Sequence, residues 1–152
     1  MLYGECLQSL SLHQQLVVQL TPERNGAPSI SKIEVKSTAY VQSWSQKKLS
    51  SIQFSIQPTQ GWDATSNTYS SERVRQSDIY VFCVLSHKNK KTIDPLNLDQ
   101  WEFYVIDTDR LNRSVGNQKR IMLSRLIKLG PRKVTYKDIA ATVKRVKGNI
   151  IS

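Results

Sequence analysis

The sequence predicts a mixed α+β domain with one central mixed sheet flanked by short helices, and three features carry that expectation. Ser51–Gln57 alternates polar and apolar residues without a break, the period-two signature of a half-buried strand. Asp78–Leu85 is nearly all apolar and rich in β-branched and aromatic residues, as expected of a central strand covered on both faces. Strands come first and short helices last, an order that favours α+β packing around one sheet. The 152 residues suffice for one domain with one core, and residues 1–152 show no internal repeat and no internal boundary.

Along the chain, residues 1–16 read as a short, imperfect helix in which Leu7, Leu10 and Leu12 form a partial apolar stripe. Leu16–Leu20 reads as a strand, and Thr21–Gly26, ending in Asn-Gly, as a turn. Ser31–Tyr40 follows as the second strand, so the two are expected to form an antiparallel hairpin. Residues 58–71, rich in Thr, Ser, Gly and Asn, are expected to be the mobile segment, with Trp62 either anchoring it or exposed. After Asp78–Leu85 comes a basic loop, His87–Lys91, and then a strand at Gln100–Ile106. Asp109–Asn112 suggests a helical turn and Lys119–Leu123 a short strand. Ser124 is placed to cap a helix that Gly130-Pro131 ends. Thr135 opens the last helix, with Asp138 completing a partial capping box and Ile139, Val143 and Val146 on one face.

Composition narrows the function classes. Lys and Arg number 22 against 12 Asp and Glu, a net charge of +10, which favours a polyanionic partner, nucleic acid first and an acidic membrane surface second. No apolar run approaches a membrane span, and the N-terminus has no secretory pattern, so no membrane crossing is expected, and DNA rather than a membrane is the expected partner. Cys6 and Cys83 cannot build a disulfide framework, and Cys83 reads as a buried small hydrophobe. Together these point to a reducing, cytoplasmic setting. His13 and His87 are isolated from any nucleophile pattern, and there is no glycine-rich phosphate loop.

The chemistry-bearing stretch is Ser31-Lys-Ile-Glu-Val-Lys-Ser-Thr-Ala-Tyr40. With a period of two, Ile33 and Val35 point to one face and Glu34 and Lys36 to the other. A carboxylate and an ammonium side by side can converge on one phosphate: the first can hold a divalent cation, the second can stabilise developing negative charge. The plainer reading is an exposed strand face that happens to carry both.

This stretch, with Lys32–Leu49, Ser77–Leu85 and Asp94–Val105, resembles a bacterial group of the PD-(D/E)xK (restriction endonuclease-like) nuclease superfamily over roughly residues 30 to 130. The resemblance implies a restriction endonuclease-like sheet and hydrolysis of DNA phosphodiesters with Mg2+ or Mn2+. Glu34 would be the acidic metal ligand, Val35 would offer its backbone carbonyl, and Lys36 would be the catalytic lysine. The superfamily's upstream metal-binding Asp has no counterpart, since no Asp precedes Asp63. Its position falls near Gln19, with Glu23 and Glu5 as acidic substitutes. The N-terminal region is also short for the superfamily's opening helix, as in a truncated or degenerate member. A DNA-binding protein of the same fold without catalysis, and a basic protein-interaction module, are the alternatives. Many duplex-cutting members act as homodimers.

Beyond the motif, Lys47, Lys48, Lys88, Lys90 and Lys91 are candidates for phosphate contacts, and Gln42 and Gln46 for phosphates or bases. Trp44 is expected to be in the core or half-buried, with base stacking as the alternative. Asp78 and Asp99 read as structural caps or turn residues rather than ligands. Thr135–Ala141 has the look of the first helix of a helix-turn-helix, but no second helix follows it before Ser152.

Overall fold

The computed structural model of the chain describes residues 13–19 and 30–148. In chain order it contains β1 (His13–Gln19), β2 (Ile30–Ala39), β3 (Gln53–Ser55), β4 (Thr59–Asp63), β5 (Thr68–Val74), β6 (Ile79–Leu85), β7 (Trp101–Asp107), α1 (Thr108–Val115), β8 (Arg120–Met122), α2 (Leu123–Lys128), β9 (Arg132–Val134) and α3 (Ile139–Gly148). Five strands form the central mixed sheet in the order β1-β2-β6-β7-β9. β1 and β2 are antiparallel, as the hairpin reading expects, β2 and β6 are parallel, and the remaining pairs are antiparallel.

β6 is the axis of the core, with all seven of its residues buried. Successive side chains on a strand point to opposite faces, so a strand with no exposed residue needs a layer on each side of the sheet. On one side, Ile79, Val81 and Cys83 join Ile33, Phe103 and Val105 beneath Val143 and Val146 of α3. On the other, Tyr80, Phe82 and Val84 join Tyr104 and Ile106, covered by Phe54 of β3, Ile121 of β8, Leu111 and Val115 of α1, and Leu126 of α2. The rings of Phe54 and Phe82 meet at 4.7 Å between centroids. The even-numbered residues of β2, Glu34 and Lys36 among them, lie on this second side, because Glu34 pairs with Tyr80 and Lys36 with Phe82.

Several local expectations change. His13–Leu16, expected in a helix, belongs to strand β1, and residues 1–12 lie outside the described residues. The segment expected to be mobile folds as an antiparallel ribbon of β4 and β5, which turns through Asn67 in the left-handed region (φ 54°). Among the described residues its strands pair only with each other, and the Trp62 and Tyr69 rings stand 4.8 Å apart on it. Cross-strand pairing, which local composition does not reveal, gives this polar stretch its two strands.

The strand at Arg120–Met122 leaves the central sheet and pairs with β3. Ser124 lies inside α2, whose N-cap is Met122 with no side-chain cap bond. Thr135 precedes a 3-10 turn at Tyr136–Asp138, and its hydroxyl bonds the Asp138 carboxylate (2.9 Å) in place of a backbone N–H. The helical turn at Asp109–Asn112 extends to the eight-residue α1. It is capped by the Asp107 carboxylate, which accepts from Arg110 N (2.7 Å). Asp78 does act structurally: its carboxylate accepts from Lys32 N at 2.9 Å.

Arg75 ties the second layer together. Buried just before β6, it donates from Nε to the Ile56 carbonyl (2.8 Å), from Nη1 to Asn112 Oδ1 (2.6 Å) and the Gly116 carbonyl (2.7 Å), and from Nη2 to the Gln118 carbonyl (2.9 Å). One guanidinium thus joins the segment after β3, the end of α1 and the turn into β8. Arg75→Ala leaves three carbonyls without this donor, and we expect a loss of about 3 kcal/mol or more in urea denaturation. Arg73→Ala, on the exposed ribbon, should leave the midpoint unchanged. Equal effects of the two variants would refute the tie.

Candidate functional site

Glu34 and Lys36 meet. Lys36 Nζ lies 2.5 Å from Glu34 Oε1, and their side chains retain 5% and 16% of their exposure respectively. The alternation of β2 puts both on the face covered by β3, β8 and α1, so the charges must be satisfied inside the protein. Ser77 Oγ donates to Glu34 Oε2 at 3.0 Å, and the Tyr80 hydroxyl is within hydrogen-bonding reach of the same carboxylate. Ser77 is itself positioned by Thr108, whose hydroxyl donates to the Ser77 carbonyl at 2.6 Å.

The electrostatics follow from this geometry. Burial pushes the Glu34 carboxyl up, but Lys36, Ser77 and Tyr80 together outweigh it and hold its pKa below the ordinary value. Burial draws the Lys36 ammonium down, and its bond to Glu34 offsets only part of that. Burial and the adjacent Glu34 charge push the Tyr80 phenol far up, so it remains a neutral donor. Arg75, lowered by burial, feels both Tyr80 and Glu34. Among the described residues, the cluster is therefore one carboxylate paired with Lys36 and within the electrostatic reach of Arg75.

Among the described residues, that composition alone does not make up a divalent metal site. Mg2+ and Mn2+ favour several oxygen ligands with more than one negative charge among them. Both Glu34 oxygens are already engaged, and Lys36 and Arg75 add repulsion. Among the described residues, no three His, Cys, Asp or Glu side chains are grouped to hold a metal ion. The register sets Gln15, not Gln19, opposite Glu34, and His13 opposite Lys36, while Gln19 pairs with Ile30. Gln19 thus lies four residues, roughly 13 Å, from the position facing Glu34. Glu5 and Glu23 lie outside the described residues.

The lysines gather elsewhere. Residues 40–50 and 86–92 follow the parallel strands β2 and β6 and so leave the same end of the sheet. Lys90 Nζ joins them, donating to the carbonyls of Trp44 (2.8 Å) and Ser43 (3.4 Å). Lys88 lies over the Tyr40 ring, 4.7 Å from its centroid. Lys47, Lys48, Lys88, Lys90 and Lys91 are all exposed, and neither segment contains an acidic residue.

Gln42 and Gln46, in contrast, are occupied by the loop itself. Gln42 is buried and donates from Nε2 to the Ala39 carbonyl, while its backbone N–H reaches Gln46 Oε1. His87 bonds Thr92 through Nε2 (2.7 Å). Trp44, expected to be in the core or half-buried, is exposed.

The motif reading passed over two groups. Ser77 and Tyr80 carry no sequence signal of their own and are found only through the β2–β6 register. The second is a run readable in the sequence. Residues 110–133 contain Arg110, Arg113, Lys119, Arg120, Arg125, Lys128, Arg132 and Lys133 and no acidic residue. All eight are exposed, over α1, β8, α2 and β9.

Removing one member of the buried pair leaves the other uncompensated. We expect Lys36→Met and Glu34→Gln each to cost about 3 kcal/mol, and the double variant to recover to within about 1 kcal/mol of the parent. Additive losses in urea denaturation would show that the two side chains act independently. Because the folded pKa of Glu34 lies below 4.5, its stabilisation is complete above pH 4.5 and lost as pH falls through the folded value. A urea midpoint that falls less steeply with acid in Glu34→Gln than in the parent is the expected result.

No family model, curated protein or solved structure matches this chain.

Proposed function

We propose that the chain is a DNA-binding protein of restriction endonuclease-like type in which Glu34 and Lys36 form a closed internal ion pair. The observation that carries this reading is the joining of two acid-free lysine segments through the Lys90 contacts with Ser43 and Trp44. Phosphate binding asks for positive charge in a fixed arrangement, and lysines held at one end of a sheet supply it. The cationic run over α1, β8, α2 and β9 offers further backbone contacts.

The second reading is a Mg2+- or Mn2+-dependent endonuclease. It is favoured by the Glu34–Lys36 pair itself, an acid and a buried lysine on one strand face, and it requires acidic ligands from Glu5 or Glu23.

Duplex binding and plasmid nicking, measured together with and without Mg2+ or Mn2+, separate the two. We expect binding that needs no metal and weakens with salt, with a log-log slope of about 0.9 for each phosphate contacted. Lys47→Ala, Lys48→Ala and Lys91→Ala combined should flatten that slope, and no nicking should occur. Metal-dependent nicking that disappears in both Glu34→Gln and Lys36→Met would establish the nuclease instead. Absence of salt-sensitive binding would overturn both readings.

A further inference from the structure

We propose that Trp44 is a stacking platform for an unpaired base, so that the lysine surface around it takes single-stranded or locally unpaired nucleic acid in preference to intact duplex. This inference rests on the nucleic-acid reading above and deepens it, but it does not depend on the Glu34–Lys36 pair.

The first observation is exposure. Trp44 keeps 63% of its surface open to solvent. Trp62, the other strongly exposed tryptophan, already has the Tyr69 ring against it. An exposed indole is a large apolar surface left unused by the core, and its π-face can receive any base.

The second observation is that the loop carrying Trp44 is tied down by hydrogen bonds. Ser50 N donates to the Tyr40 carbonyl at 2.9 Å and closes the loop at its base. Inside it, Gln46 accepts from Gln42 N (2.8 Å) and donates to Ser50 Oγ (2.9 Å) and the Tyr40 carbonyl (3.3 Å). Lys90 fixes the Trp44 carbonyl from the neighbouring segment. Four side-chain hydrogen bonds and one main-chain bond thus hold the backbone while the indole stays outside. A platform fixed before its ligand arrives loses little conformational freedom on binding.

The third observation is charge. Lys47 and Lys48 follow Trp44 on its own loop, Lys88 and Lys91 stand on the adjoining one, and no acidic residue lies in either. Intact duplex needs only the lysines, because its bases are stacked on each other and unavailable. A single strand uses both parts of the surface, with its phosphates on the ammonium groups and a base on the indole. An anionic membrane would also accept lysines with a tryptophan, but stable interfacial anchoring favours a broad apolar face, and this loop is otherwise built from Ser43, Ser45 and Gln46.

The test compares parent, Trp44→Ala and Trp44→Phe in binding to a short oligo(dT), to a blunt DNA duplex and to phosphatidylglycerol vesicles, at one salt concentration and without metal. We expect Trp44→Ala to weaken oligo(dT) binding by about 5- to 100-fold. Trp44→Phe should keep most of it, and neither change should alter duplex binding. Quenching of tryptophan fluorescence by oligo(dT) should be reduced in Trp44→Ala. Unchanged oligo(dT) affinity in Trp44→Ala, or an equal loss on oligo(dT) and duplex, overturns the platform while leaving the DNA-binding reading intact. Trp44-dependent binding to vesicles but not to oligo(dT) overturns it in favour of a membrane surface. Failure of the parent to bind either DNA overturns both.

Discussion

The complete burial of β6 is the constraint from which the rest of the architecture follows. A strand without an exposed residue must be covered on both faces, and α3 supplies one cover while β3, β8, α1 and α2 supply the other. Because β2 runs parallel beside β6, its alternation is locked to that of the buried strand. One face of β2 carries Ile33 and meets the α3 side without difficulty. The other carries Glu34 and Lys36 into a layer built around Tyr80, Phe82 and Phe54. A charged pair in such a layer persists only when each member neutralises the other and the remaining hydrogen-bonding capacity is filled. Ser77 and Tyr80 fill it, and Thr108 holds Ser77 in place.

The same constraint explains the electrostatic character of the centre. Arg75, placed just before β6, reaches across the second layer to carbonyls from three segments and lies close enough to feel Glu34 and Tyr80. Among the described residues, one carboxylate against two cations leaves the cluster with excess positive charge. Such a centre suits an anion better than a divalent cation, unless further acidic groups are brought to it. The lysine surface and the ion pair are therefore separable parts of the molecule. The lysine segments leave the sheet end after Ala39 and Leu85, whereas Glu34 and Lys36 sit within the strand.

The pattern of success in reading the sequence has a physical basis. Periodicity located the strands at residues 31–40, 51–57, 78–85 and 100–106, because burial on one or both faces writes itself into the order of polar and apolar residues. It found no strand in residues 58–71, where a solvent-exposed ribbon is held by pairing between its own strands and needs no apolar pattern. It also assigned Arg120–Met122 no partner, since pairing with β3 is a contact across more than sixty residues. In the candidate site, Glu34 and Lys36 were legible from their spacing on a strand. The roles of Ser77, Tyr80 and Arg75 were not, because each depends on which strand lies beside β2.

What the sequence determined by itself was the class of fold, the strong cationic character and the placing of Glu34 and Lys36 on one face of a strand, since composition and a period of two require no knowledge of neighbours. Tertiary structure alone decided that this face is buried and that Gln15 stands opposite Glu34. It also decided that Gln42 serves its own loop while Trp44 remains outside, with the lysines of residues 47–48 and 88–91 sharing one end of the sheet. Each of these depends on strand register and on contacts between residues distant in the chain, and no local pattern encodes them.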